Sequence, residues 1–160
     1  MNKEEFTNEI LRAEKGMYCI AKSILHSDED CADAIQNAIL KAWQHRSSLK
    51  EQRYFKTWIT RILINECYAM IRSRKETVSY EDYVDSSSGE FYSSDTTEES
   101  PVFSAVQDLP EEYRMPIVLH YMNGFSISET AGMLRLSEGA VKMRLSRAKA
   151  VLRSTIGDFE

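Results

Sequence analysis

A chain of 160 residues with 42% hydrophobic residues, three prolines and six glycines can bury one core or two small ones and leaves room for long helices. A net charge of −5 excludes a global basic field, so a polyanionic partner would have to be met by local patches. No run approaches the roughly 18 apolar residues of a membrane span, and the opening MNKEEFTNEILRAEKG is charged and lacks an apolar signal core, so a cytoplasmic protein is expected.

Residues 4–26 read as a helix, because Ile10, Ala13, Met17, Ile20, Ala21 and Ile24 recur at steps of three and four. His26, Ser27 and Asp28 stop it, and Ser27 or Asp28 can cap the next helix. That helix, residues 29–45, buries Cys31, Ala34, Ile35, Ala38, Ile39 and Ala42. Asp33, Gln36, Asn37, Leu40, Lys41 and Gln44 lie off the stripe. Leu40 and Trp43 are large apolar residues near its edge, which fits a partner surface or a wider core contact.

A polar loop over 46–54 leads into a long helix from Tyr54 to Arg74. Its apolar positions are Phe55, Trp58, Ile59, Ile62, Leu63, Cys67, Met70 and Ile71. The cations Arg53, Lys56, Arg61, Arg72, Arg74 and Lys75 face the single acid Glu66, and Tyr54, Phe55, Trp58 and Tyr68 are interleaved with them. Cations track a backbone and aromatic faces stack on exposed bases, so the mixture suits single-stranded or melted nucleic acid. Trp58, central in the stripe, is assigned to the core, whereas Tyr54 and Phe55, at the loop–helix junction, are assigned to stacking.

From Glu76 to Ser100 the chain holds eight acids and no lysine or arginine, with serines clustered in SSSGEFYSSD. This composition is that of a flexible linker. It can act as a solvated tether, or as a polyanion mimic lying over a basic surface in the free protein. Beyond it, Val102, Ala105, Val106 and Leu109 mark a short helix. Pro110 with Glu111 and Glu112 opens another, expected to bury Tyr113, Ile117, Val118 and Tyr121 before Asn123-Gly124 turns the chain.

The last stretch, FSISETAGMLRLSEGAVKMRLSRAKAVLR from Phe125 to Arg153, has the grammar of two short helices joined by a tight turn. Ser126 and Glu129 have capping-box spacing, Ile127, Ala131 and Leu134 follow at helical spacing, and Ser137 can cap the second helix. On a wheel at about 100° per residue, Val141, Leu145, Ala148 and Leu152 share one sector. Met143, Ser146 and Arg147 lie opposite, flanked by Lys142 and Arg144. Between Arg135 and Arg153 six cations face the single acid Glu138. A solvated surface helix would account for the charge alone. Capping box, turn and basic face in that order point instead to a helix-turn-helix, whose second helix meets base edges in the major groove.

Cys19, Cys31 and Cys67 are odd in number, far apart and without CxxC spacing, which argues against a disulfide framework or a zinc site and for core positions. His26, His45 and His120 are isolated. No Gly-rich phosphate loop, Ser/His/Asp order or paired carboxylates stand out, so no enzyme, cofactor, metal or small-molecule substrate is expected.

The order of these pieces resembles a bacterial RNA polymerase sigma factor of the extracytoplasmic-function group, in the sigma-70 family. DCADAIQNAILKAW (30–43), FKTWITRILINECYAMIRSR (55–74) and the stretch 109–153 carry the resemblance, which covers nearly the whole chain. It implies an all-α chain of two small domains: a region 2-like domain over 1–76, the acidic linker over 77–101 and a region 4-like helix-turn-helix domain over 102–160. It also implies no catalysis but promoter recognition, melting and initiation on core RNA polymerase, usually under an anti-sigma factor. The positions matching Asp33, Gln36, Asn37, Leu40, Lys41 and Trp43 dock on the polymerase. Those matching Ser47 to Phe55, with Asn65 behind them, accept an unstacked base of the −10 element, with Arg53, Tyr54, Phe55, Lys56, Arg61 and Arg72 on the strand. The −35 duplex falls to Ser128, Glu138, Lys142, Met143, Arg144, Ser146, Arg147 and Lys149. The chain departs from the family pattern at Arg135, where Gly is frequent, at Gly132, where a helix former is usual, and at Met143, where a small polar residue is frequent. Two rivals are a helix-turn-helix repressor or activator that binds duplex alone, and an adaptor whose basic helices bind acidic proteins. The aromatic-basic mixture at 53–75 favours the first reading over both.

Overall fold

The structure, a computed structural model, describes residues 1–77 and 100–157. The acidic stretch 78–99, and with it both readings of the linker, lies outside the described residues. Among the described residues all regular structure is helical. The chain divides into two compact units, Met1–Ser94 and Asp95–Glu160, each with its own core.

The first unit packs three helices: α1 (Lys3–Leu25), α2 (Asp28–Gln44) and α3 (Phe55–Thr77). Asn2 and Glu5 form a reciprocal capping box at the start of α1, with bonds of 2.8 and 3.0 Å. Of the two caps expected for α2, Ser27 is the one used, accepting from the Asp30 N–H. The buried stripe of α2 is small, Cys31, Ala34, Ala38 and Ala42 all being inaccessible, whereas Ile35 and Ile39, expected within it, are half-buried at its edge. Small side chains let α1 and α3 approach closely, and the volume is filled from those helices by Met17, Ile20, Phe55, Ile59 and Leu63. Each such large side chain contributes about 1.5–3 kcal/mol through burial.

Burial pushes the Cys31 and Cys67 thiols up to about 12, so both are packing residues rather than nucleophiles. Cross-helix ion pairs join Lys22 to Asp28, Lys41 to Glu66 and Arg74 to Asp30. Hydrogen bonds from Lys22 and Tyr18 hold the Asp28 carboxyl below its ordinary value. The α2–α3 connection runs through two 3-10 turns, Arg46–Ser48 and Gln52–Tyr54. Gln52 anchors it to α1 by a 2.8 Å bond to Glu9.

The second unit opens with α4 (Pro101–Gln107), capped by Ser100 with Pro101 at its first position. Next, α5 (Glu111–Pro116) continues into a π-helical turn, Ile117–Met122. Pro116 has no N–H to give the helix ladder, and the wider turn that follows shifts the register. The buried residues are therefore Met115, Ile117, Val118 and Leu119. Tyr121, expected in the core from a regular helical period, is instead 41% exposed. Arg114 is buried and caps the end of the preceding segment, donating to the Leu109 carbonyl at 2.7 Å. Asn123 donates to the Val118 carbonyl at 2.8 Å and closes the π turn.

Two helices complete this unit, α6 (Ile127–Leu134) and α7 (Glu138–Ile156). The Ser126–Glu129 capping box forms as its spacing requires. Thr130, Ala131 and Met133 are the buried residues of α6, whereas Ile127 and Leu134 are half-buried at its edges. Arg135 takes the left-handed conformation, φ 60 and ψ 46, that glycine adopts without strain. Its N–H and that of Leu136 both bond the Ala131 carbonyl. The tight turn is thus kept despite the arginine, at a strain of about 1–2 kcal/mol.

Candidate nucleic-acid interface

Two surfaces collect the residues singled out from the sequence, one in each unit. In the second unit Ser137 caps α7 through the Ala140 N–H at 3.0 Å. Val141, Leu145, Ala148 and Leu152 are the buried residues of α7, as the wheel requires. Helical geometry then turns Lys142, Met143, Ser146 and Arg147 outward, and all four are exposed. Met143 is 48% exposed, an unusual outlay for a thioether, so the face offers one apolar contact among polar ones. Arg144 is half-buried at the flank, and Glu138 and Ser128 are exposed at the starts of α7 and α6. Lys149 differs from its neighbours: its ammonium donates to the Tyr121 hydroxyl at 2.7 Å and lies 5.0 Å from that ring. It faces Tyr121 rather than the outward row.

In the first unit Asp33, Gln36, Asn37, Leu40 and Lys41 form an exposed row on α2, with Leu40 at 59% exposure. Trp43 is half-buried, its ring edge-on to Phe6 at 5.1 Å, and the Arg46 guanidinium lies over it at 3.7 Å. The wider core contact therefore accounts for one side of the Trp43 ring, and the half-buried Arg46 covers another.

The aromatic junction does not distribute as the sequence reading has it. Phe55 is 1% exposed and sits edge-on to Phe6 at 5.7 Å, so its ring is a core residue and not a stacking surface. As the first residue of α3 it points back into the bundle. Tyr54, one residue earlier, is 49% exposed with the Arg53 guanidinium 4.8 Å from its ring. Trp58, assigned to the core, packs on Phe55 at 5.7 Å but is only half-buried.

Trp58 also walls a recess of about 290 Å³, shared with Lys41, His45, Ile62, Asn65 and Glu66. On α3 these residues sit at spacings of four, seven and eight from Trp58, one face of a helix; on α2 Lys41 and His45 are four apart. The recess thus brings together Asn65, expected at the melted strand, and Lys41, expected at the polymerase. It adds His45, Ile62 and Glu66, which the sequence reading leaves out. The i, i+4 spacings are a signal for them, but only the crossing of α2 and α3 pairs the two faces. Arg53, Lys56, Arg61 and Arg72 are exposed on the same unit. Among the described residues no cluster of His, Cys, Asp or Glu could hold a metal ion, and no helix is long and apolar enough to cross a membrane.

Comparison with known proteins gives both units a relationship. Residues 11–77 match the family described as Sigma-70 region 2, and residues 102–152 match Sigma-70, region 4. The ECF RNA polymerase sigma factor SigM of Mycobacterium tuberculosis is 32% identical over 152 residues, spanning 91% of this chain and 74% of the relative. The ECF RNA polymerase sigma-E factor of Escherichia coli K12 is 26% identical over 141 residues, 79% of this chain and 74% of the relative. Among solved structures, the sigma factor RpoE of Bartonella quintana, in complex with the anti-sigma factor NepR, superposes with a TM-score of 0.73 at 26% identity, covering 94% of this chain and 96% of that one.

Proposed function

From the premise that this chain belongs to the sigma-70 family, as a member of its extracytoplasmic-function group, we propose how its two surfaces divide the work of starting transcription. The protein is an alternative sigma factor: it directs promoter recognition and transcription initiation by RNA polymerase. Polymerase makes the RNA, and this subunit acts as a dissociable, cytoplasmic specificity factor without an enzymatic step of its own. The region 2-like domain, residues 1–76 of the first unit, holds core polymerase through Asp33, Gln36, Asn37, Leu40, Lys41 and the side of Trp43 that Arg46 covers. It takes the melted −10 strand at Asn65, with Arg53, Tyr54, Lys56, Arg61 and Arg72 along the backbone. The region 4-like domain, residues 102–160 of the second unit, reads the −35 duplex with Lys142, Met143, Ser146 and Arg147, and holds phosphates with Arg144. Ser128 and Glu138 lie at the helix starts beside it.

The observation that carries this reading is the recess at Asn65. It is lined by an indole, an aliphatic side chain and the polar Lys41, His45, Asn65 and Glu66, and the same unit exposes Arg53, Lys56, Arg61 and Arg72. An unstacked base needs that combination: apolar faces that compensate lost stacking and polar atoms for its edge. A repressor that binds only duplex has no use for it. An anti-sigma factor is a further expected partner, since the Bartonella quintana relative was solved with one.

The test is run-off transcription with purified core polymerase over genomic fragments. Discrete start sites that require this protein are expected. Core enzyme that initiates no better with the protein than without it overturns the reading.

A further inference from the structure

The rim of the recess has a hydrogen-bonding bias. His45 ends α2, and its backbone N–H bonds the Lys41 carbonyl at 2.9 Å. The ring folds back so that Nδ1 lies 3.0 Å from the same carbonyl oxygen. A carbonyl only accepts, so Nδ1 carries the proton in that contact. In the neutral ring Nε2 is then the lone-pair nitrogen, and it too only accepts. Glu66 supplies the other acceptor. Its carboxylate pairs with the Lys41 ammonium through Oε2, and its side chain is only 12% exposed. One pairing leaves most of the roughly four lone-pair sites of a carboxylate unused. The Lys41 ammonium, the cationic donor among the lining residues, gives one of its three N–H groups to Glu66. Asn65 has both a donor and an acceptor, so it discriminates little. Trp58 and Ile62 supply the apolar walls.

We propose that His45 and Glu66 make this recess selective for a base with an amine at ring position 4 or 6, cytosine or adenine, against thymine and guanine, which carry a carbonyl oxygen there. The inference rests on the reading of the recess as the site of the unstacked −10 base. A 4-amino or 6-amino group donates to Glu66 and Nε2, and the adjoining ring nitrogen accepts from the Asn65 amide. A carbonyl oxygen at the same place meets two acceptors and has given up its water. Discrimination of about tenfold or more is expected for an edge read this way. His45 acts here as a specificity-determining residue. Its place at the helix end, exposed to solvent, means that it can be replaced without opening the core.

The test uses the full chain with core polymerase on a promoter defined by run-off transcription. Each non-template base of the opened segment is varied through all four bases. The preferred amino base is also replaced by its analogue without the amine, 2-pyrimidinone for cytosine or purine for adenine. Open complex is read by permanganate reactivity of unpaired thymines. The expected result is one position at which removing the amine costs about tenfold in open complex. His45→Phe should erase that dependence, and His45→Lys, a donor only, should turn the preference towards a carbonyl-bearing base. A structural role for His45 would lower opening on every template alike and would not invert the preference. If both variants keep the parent preference while Asn65→Ala still abolishes opening, the base-selection inference falls and the base site stands. If Asn65→Ala opens every template normally, the base site falls with it.

Discussion

The recess of the first unit and the outward face of α7 in the second are built in opposite ways. The recess shares its wall with the core: Trp58 packs on Phe55, which packs on Phe6, which packs on Trp43. The wall of the recess, the bundle's aromatic core and Trp43 at the end of α2 are thus one contact chain. On α7 the inward residues Val141, Leu145, Ala148 and Leu152 carry the packing, while Lys142, Met143, Ser146 and Arg147 carry none of it. A base taken out of its stack needs walls, and walls have to be held by a core. A duplex groove brings its own walls, so an exposed helix face is enough to read it. The apolar wall of the first kind of site cannot change without touching stability, whereas its exposed rim, like the face of α7, can change with little effect on the core.

That contrast can be broken by experiment. Phe55→Ala should have the largest effect, about 3–5 kcal/mol of stability lost by emptying a core site. Denaturant unfolding measures it, and promoter opening should fall in parallel. Opening that survives full destabilisation would separate the recess from the core. Arg147→Ala should leave unfolding unchanged and cost about 1–3 kcal/mol of specific −35 binding, read by promoter competition. Unchanged promoter use removes Arg147 from the reading face. Arg135→Gly relieves a left-handed arginine at the price of a floppier unfolded chain, so a net gain of up to about 1 kcal/mol is expected. A lowered melting temperature would mean that the arginine side chain has a role worth more than its strain.

The smallest effect is a pH dependence at Asp28. Its pKa is lowered in the fold by Lys22 and then Tyr18, so the stability it contributes is fully present above the ordinary value of 3.8 and is lost as pH falls through the lower folded value. Asp28→Asn should therefore be less stable than the parent near neutrality, with the gap closing in acid. A gap that is constant with pH would assign the loss to packing.

How far these elements are legible in the sequence follows from the range of the forces involved. Helices over Lys3–Leu25 and Asp28–Gln44 come out within a residue from apolar spacing and caps, and Ser137 fixes the start of Glu138–Ile156. Lys142, Met143, Ser146 and Arg147 are found because one helix, drawn alone, decides what points outward. Phe55 is misassigned, and Trp58 only half described as core, because part of their surroundings belongs to other helices. Tyr121 is misassigned because a π turn breaks the period on which the reading depends. His45, Ile62 and Glu66 are not assigned to a site from the sequence because nothing on either helix alone says that the two faces meet.

Determined by the sequence itself, then, are the helices, the buried stripe of α7, the two concentrations of positive charge and the family, since each depends on neighbours within a few turns of the chain. The tertiary structure alone decides which aromatic ring is core and which is wall, that Lys149 turns to Tyr121, and that Asn65 shares a recess with His45 and Glu66. These depend on where helices cross. The crossing in the first unit is set by how closely the alanines and cysteine of α2 allow its neighbours to approach, a distance that no single-helix pattern contains.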